Sequence, residues 1–253
     1  MYRMVLLTGL LAGAGAAAAM AQPPETLVES LCRTYDPIRT LSCSIRKDTT
    51  GGGETLHWLT RVYFQRPDHI HVENVAPMQR RIIADGRRLC YYEQGLLRGF
   101  ARPITELDPD WLTVLRTVPG SPLDQLAGLK GVPETPLPAT VDHPLRRAYQ
   151  ATNLYVIVSC DAQRRLCRLE SFTNATARTP VTRLDYGAFQ QVAPDIWLPC
   201  LHKAIRNEGA TRIEETRRID NLVVNQPIPG GLFDAAAFFK GVEFTPDFAA
   251  TTR

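Results

Sequence analysis

Between residues 40 and 103 apolar side chains recur at every second position, and the run is broken at short intervals by turn residues. In "ETLHWLTRVYFQ", Leu56, Trp58, Val62 and Phe64 fall on one side and His57, Arg61 and Gln65 on the other. In "HIHVENV", Ile70 and Val72 oppose His69, His71 and Glu73. A period of two is the signature of a strand with one buried face, and a helix cannot satisfy it. The breaks carry turn chemistry: three glycines at 51–53, Arg66-Pro67-Asp68, Asp85-Gly86 and Gln94-Gly95. The stretch therefore predicts about six consecutive antiparallel strands joined as a meander.

The rest of the chain fits round that sheet. "ETLVESLCRTYDPIRTL" predicts a helix in front of it, with Leu27, Leu31 and Tyr35 at helical spacing and Pro37 as its stop. Residues 103–144 predict loop and two short helices, each opened by a Pro: Asp108-Pro109-Asp110 before Trp111, Leu112 and Leu115, and Ser121-Pro122 before Leu123, Leu126 and Leu129. "NLYVIVSC", "LCRLESF", "TPVTRLDYGAFQQV", "IWLPCLHKAIR" and "TRIEETRRIDNLVV" then read as strands. The expected fold class is mainly β (α+β): an antiparallel sheet or barrel of about eleven strands, with two short helices in the middle and an N-terminal helix in front.

The first residues stand apart. Arg3 precedes an apolar run from Val5 to Ala18, and Ala19-Met20-Ala21 is a small-x-small cleavage site. Residues 1–21 are expected to be a signal peptide, and residues 22–253 a single exported domain. In an oxidising compartment, six cysteines predict disulfides. Cys160 and Cys167 flank a hairpin centred on Gln163-Arg164 and are expected to face each other. Cys32 with Cys43 is the next pairing, and Cys90 with Cys200 follows by elimination. No C-x2-C pair supports a zinc site.

Catalytic chemistry finds little support. The sequence has no G-x-S-x-G, H-E-x-x-H, Walker A or G-x-G-x-x-G motif, and nothing in it calls for a cofactor. His69, His71 and Glu73 could in principle hold a metal, but strand alternation already explains them as a solvent-facing polar strip. A net charge of +3 is too small to argue for nucleic acid. The arginine pairs near several turns (Arg80-Arg81, Arg87-Arg88, Arg146-Arg147, Arg164-Arg165, Arg217-Arg218) read as solubility and edge protection. The apolar face of so large a sheet needs a cover, and only short helices are available. A loose cover leaves a pocket and a tight one a packed core; periodicity does not separate the two, and the residues alone favour the packed core.

One longer pattern goes further. Phe64, Arg66-Pro67, Ile70 and Val72, Ile82-Ile83, Asp85-Gly86 and Tyr91-Tyr92 follow one another as in the LolA family of periplasmic lipoprotein carriers, which this stretch resembles. The closing "LFDAAAFFKGVEFTPD" is similar to that family's last segment. The resemblance implies an unclosed barrel with a lid, a monomer in the periplasm, and the binding of lipoprotein acyl chains or other lipid. It also implies an inner-membrane donor complex, an outer-membrane acceptor and no catalysis. It implies a cargo cavity lined by Trp58, Phe64, Ile70, Val72, Tyr91, Trp111, Leu112 and Leu115, and a lid-holding role for Arg66. Six cysteines and "DIWLPC" depart from the carrier pattern toward the wider superfamily. That superfamily includes envelope-stress regulators of the RseB kind, which sense lipid or a membrane partner protein, so a sensor remains the alternative role.

Overall fold

The computed structural model describes residues 25–209 and 211–252; the expected signal peptide lies outside them. Fourteen strands form one sheet. The first six are β1 (Thr40–Gly51), β2 (Glu54–Gln65), β3 (His69–Ala76), β4 (Arg80–Asp85), β5 (Arg88–Glu93) and β6 (Gly99–Pro103). After the helical segment come β7 (Glu134–Pro136), β8 (Leu145–Gln150), β9 (Tyr155–Cys160), β10 (Leu166–Phe172), β11 (Thr182–Ala193), β12 (Ile196–Glu208) and β13 (Thr211–Val224). The last is β14 (Phe244–Thr245). Their order across the sheet is β14-β6-β5-β4-β3-β2-β1-β13-β12-β11-β10-β9-β8-β7. Two meanders thus run outward from a central seam where β1 pairs antiparallel with β13. The end strands β14 and β7 do not meet, so the sheet is unclosed.

The expectation of about eleven strands is corrected to fourteen. The additional ones are β7, β8 and β14, of three, six and two residues. β7 and β14 are too short to show a period, and β8 follows a Pro-rich loop that hides its start. β14 is also the one parallel partner in the sheet, lying along β6. The Asp85-Gly86 turn forms as its chemistry requires. Gly86 has φ +84°, and the Asp85 carboxylate accepts from the Arg87 and Arg88 amides, both at 2.9 Å.

One face of the sheet carries the helices. α1 (Leu27–Arg33) begins with a capping box: Thr26 Oγ1 accepts from the Glu29 amide and the Glu29 carboxylate accepts from the Thr26 amide. It buries Leu27, Val28, Leu31 and Cys32 against Tyr149, Val158 and Leu169 of the second meander. α2 (Pro109–Arg116) buries Leu115 against Ile70, Leu89 and Phe100 of the first meander, while Trp111 stacks on Phe100. α3 (Leu123–Leu126) contributes Leu126 to the α1 cluster. These three elements form the inner cover.

The opposite face of β3–β5 is covered by the C-terminal segment. A 3₁₀ turn (Gly230–Phe233) and α4 (Ala235–Phe238) lay Ala235 and Phe239 over Ile83 and Cys90. Here the reading of His69 and His71 as a solvent-facing strip is corrected. His71 is 2% exposed, with its ring 4.7 Å from that of Phe238, and His69 lies edge-on to Phe233. The strand's polar side is buried because a distant segment folds over it, which local alternation cannot reveal.

The disulfide expectations are corrected as well: all six cysteines are free thiols. A β-bulge at Cys167 sets Leu166, not Cys167, opposite Cys160, and Cys167 Sγ turns back to the Arg165 carbonyl at 3.5 Å. Cys32 shares a core cluster with Cys160, while Cys43 lies in another cluster with Cys200 at its margin. Cys90 is under the C-terminal segment on the other face. Burial holds the thiols of Cys43 and Cys160 up at about 12, so they are poor thiolates. A reducing agent should therefore leave the melting temperature unchanged. A drop of several degrees in a thermal melt with dithiothreitol would restore the disulfide reading.

Candidate functional site

A cavity of about 230 Å³ lies between the inner face of the sheet and the connection from α2 to α3. Strand register assembles its floor. Tyr186 of β11, His202 of β12, Arg217 of β13, Lys47 of β1 and Trp58 of β2 form one row, each directly opposite the next. The adjoining row runs Leu184, Ala204, Glu215, Thr49, Leu56. Residues that are opposite in a ladder share a face, so the seam places groups from the two halves of the chain side by side.

The lining is mixed. Val62, Ile70 and Val72 of β2 and β3, with Val114 of α2, are apolar. His202, Glu215, Arg217 and, from α3, Asp124 add polar groups, interleaved with Leu184, Tyr186 and Ala204 of β11 and β12. Glu215 is 8% exposed; its carboxylate meets Arg217 Nε at 2.5 Å and Lys47 Nζ at 3.5 Å. Burial pushes its pKa up, but Arg217 and Lys47 outweigh burial and the net shift is downward, so it stays ionised. Lys47 also sits 5.3 Å from the centre of the Trp58 ring. His202 donates from Nε2 to the Pro199 carbonyl at 3.0 Å and lies edge-on to Tyr186. Burial, helped by Arg217, lowers its pKa to about 4, and the ring is neutral at pH 7.

The cover is fastened at several points. Val118, between α2 and α3, is fully buried among Phe64, Leu198 and Ile219. Gly120 has φ +76°, a backbone conformation that favours glycine, and a Cβ there would lie 2.5 Å from Ile219 Cδ1 and push that side-chain tip aside. Arg116, at the end of α2, donates from Nε to Asp68 in the β2–β3 turn at 2.9 Å. Arg66 of the same turn donates from Nε to the Ile38 carbonyl, in the segment after α1, at 2.9 Å. The turn thus fastens the cover at two points, the segment after α1 through Arg66 and α2 through Asp68.

Of the eight residues expected to line a cargo cavity, Ile70 and Val72 do so. Phe64, Tyr91 and Leu115 are core residues beneath it, and Trp111 and Leu112 pack on the cluster of the first meander. Trp58 continues the polar row past the cavity, beside Lys47. The polar part of the lining was not foreseen. Its trace in the sequence is the odd-numbered side of "RIEETRRID", where Glu215 and Arg217 stand between Ile213 and Ile219.

No family model matches the chain, and no curated protein does. Solved structures match its fold, a large unclosed antiparallel sheet with a helical cover. A LolA superfamily protein from Nitrosomonas europaea aligns with a TM-score of 0.53 at 11% identity, over 84% of this chain and 100% of that one. A domain from Vibrio parahaemolyticus named for outer membrane lipoprotein sorting aligns at 0.56 and 10% identity, over 83% and 96%. A DUF1329 family protein from Desulfovibrio piger aligns at 0.53 and 11% identity, over 83% and 95%. The fold is LolA-like.

Two outcomes are expected. Gly120→Ala should destabilise the protein by about 1 kcal/mol or more, since the left-handed backbone and the contact with Ile219 both oppose a methyl group; equal denaturation midpoints would show that the connection is free to lift. The fold favours the neutral His202 ring, whose pKa of about 4 lies below the unfolded value of 6.5. Its contribution is complete above pH 6.5, falls as the pH drops from 6.5 to 4, and levels off below. The span is about 3 kcal/mol at most. Urea denaturation of wild type and His202→Gln across that range should show the wild type losing more stability on acidification; parallel curves would mean that the ring is solvated.

Proposed function

We propose that the protein binds an acylated amphiphile, a lipoprotein or a related lipid, between the cover and the sheet, and shields its acyl part during passage through the periplasm between inner and outer membrane. The observation that carries this reading is the lining of the cavity, apolar at Val62, Ile70, Val72, Val114, Leu184 and Ala204 and polar at Glu215, Arg217 and His202. An amphiphile matches that lining, its chain against the valines and its head toward the ion pair. Each methylene kept from water is worth about 0.8 kcal/mol, so burial alone is useful work for a carrier. The likeness to lipoprotein-sorting folds supports the reading, and the expected leader sequence supports the compartment.

At about 230 Å³ the cavity is smaller than the ~300–1,000 Å³ of typical ligand pockets. On this reading the cavity widens to admit an acyl chain, and the cover is the part that lifts. The Arg116–Asp68 pair is half-exposed and contributes on the order of 1 kcal/mol or less, a latch weak enough to open.

Native mass spectrometry of protein purified gently from the periplasm, followed by organic extraction, tests the proposal. A bound acylated species is expected, and Val72→Trp, which fills the apolar part, should reduce its occupancy at least tenfold. Protein that carries no lipid and takes up no fluorescent fatty-acid analogue would overturn it.

A further inference from the structure

The larger cavity of the molecule is elsewhere. A cleft of about 510 Å³ opens where the end of the β3–β4 hairpin meets the C-terminal segment after α4. Charged residues that share its face of the sheet are Arg61, Arg81 and Glu73, joined by Lys240 of the C-terminal segment. Glu73 is shared between two guanidinium groups, bonding closely to Arg81 and more distantly, at 3.5 Å, to Arg61. Arg80 borders the cleft but points to the other face of the sheet: with the Asn74 amide donating to Thr60 Oγ1, the Asn74 oxygen accepts from Arg80 Nε and Nη2 at 3.2 and 2.9 Å. Lys240 is exposed and has no ion-pair partner among the described residues. One carboxylate thus faces three cations, an excess of positive charge concentrated in one concave place.

Arg81 adds a second, independent sign. Its guanidinium stacks on the Phe238 ring at 4.9 Å, which fixes its plane, and its Nε is buried with no hydrogen-bond partner. A buried donor without an acceptor is costly, about 1–3 kcal/mol, and rare. Guanidinium forks held in fixed planes are the usual means of binding oxyanions.

We propose that this cleft is a second binding site, for a phosphate group, held by Arg61, Arg81 and Lys240. Phosphate fits because the lining carries two more positive than negative charges, which a phosphomonoester of about −1.5 to −2 balances and a phosphodiester headgroup balances in part. The site lies at the C-terminal segment, away from the cargo cavity, and does not depend on the carrier reading. The group can belong to a soluble phosphate or to the head of an anionic phospholipid.

Calorimetric titration of the purified protein with inorganic phosphate, against chloride at equal ionic strength, is paired with flotation on phosphatidylglycerol and phosphatidylcholine vesicles. Saturable phosphate binding without flotation identifies a soluble ligand. Flotation with phosphatidylglycerol alone, reversed by phosphate, identifies a headgroup. In either case Lys240→Glu, at an exposed position, and Arg81→Gln should each weaken binding by about tenfold or more, as expected for loss of a charge-assisted bond. Thermal melts of both variants establish that they are folded. The site is refuted if phosphate gives no more heat than chloride and neither vesicle floats the protein, or if folded Lys240→Glu binds as the wild type does.

Discussion

The pairing of β1 with β13 governs the rest of the architecture. It joins residues that stand at opposite ends of the sequence, from Leu41 opposite Val224 to Thr50 opposite Glu214. Without it there are two meanders, each with one apolar face and too little to cover it. With it there is one continuous inner face, and α1, α2 and α3 can bridge clusters from both halves. The seam also sets the chemistry. Lys47 reaches Glu215 because the ladder puts β1 beside β13, and Val62 shares a cavity with Arg217 for the same reason.

Much of the fold was legible, and the parts that were not have two causes. The strands of the first meander, the Asp85-Gly86 turn, the capped α1 and the Pro109 start of α2 are encoded within about a dozen residues, and the sequence displays them directly. His71 and Glu215 were misread or missed because their surroundings come from elsewhere, and Cys167 because of an irregularity inside its own hairpin. His71 is polar and alternates correctly, yet Phe238 covers it from more than half the chain away. Glu215 and Arg217 look like solvent-facing residues until the register with Lys47 and His202 turns them inward. Cys167 needed only one extra residue in a hairpin to lose its partner, because in a strand a shift of one reverses the side.

The polar groups of the cavity work against simple stability. Glu215 is buried while its partners Lys47 and Arg217 stay partly exposed, and an apolar group in place of the carboxylate would spare its desolvation. Their presence puts charge among the apolar side chains of the inner face. The cover matches this compromise. It touches the sheet through a few deep side chains, Leu115, Val118 and Leu126, and through one surface ion pair, rather than through a long packed helix. Separate anchors of this kind allow part of the cover to lift while the sheet stays whole.

The seam has a kinetic side too. A chain that emerges from its N-terminus presents β1 early, and β2 can pair with it at once. The other edge of β1 then waits for β13, roughly 160 residues later, on the order of ten to thirty seconds at ~5–20 residues per second. Throughout that interval a twelve-residue strand offers an open row of amides and carbonyls to any neighbouring chain. The consecutive charges Arg46, Lys47 and Asp48 in the middle of β1 make it a poor template for foreign strands. Lys47, which ends up bonded to Glu215 in the finished protein, guards that edge before its partner exists.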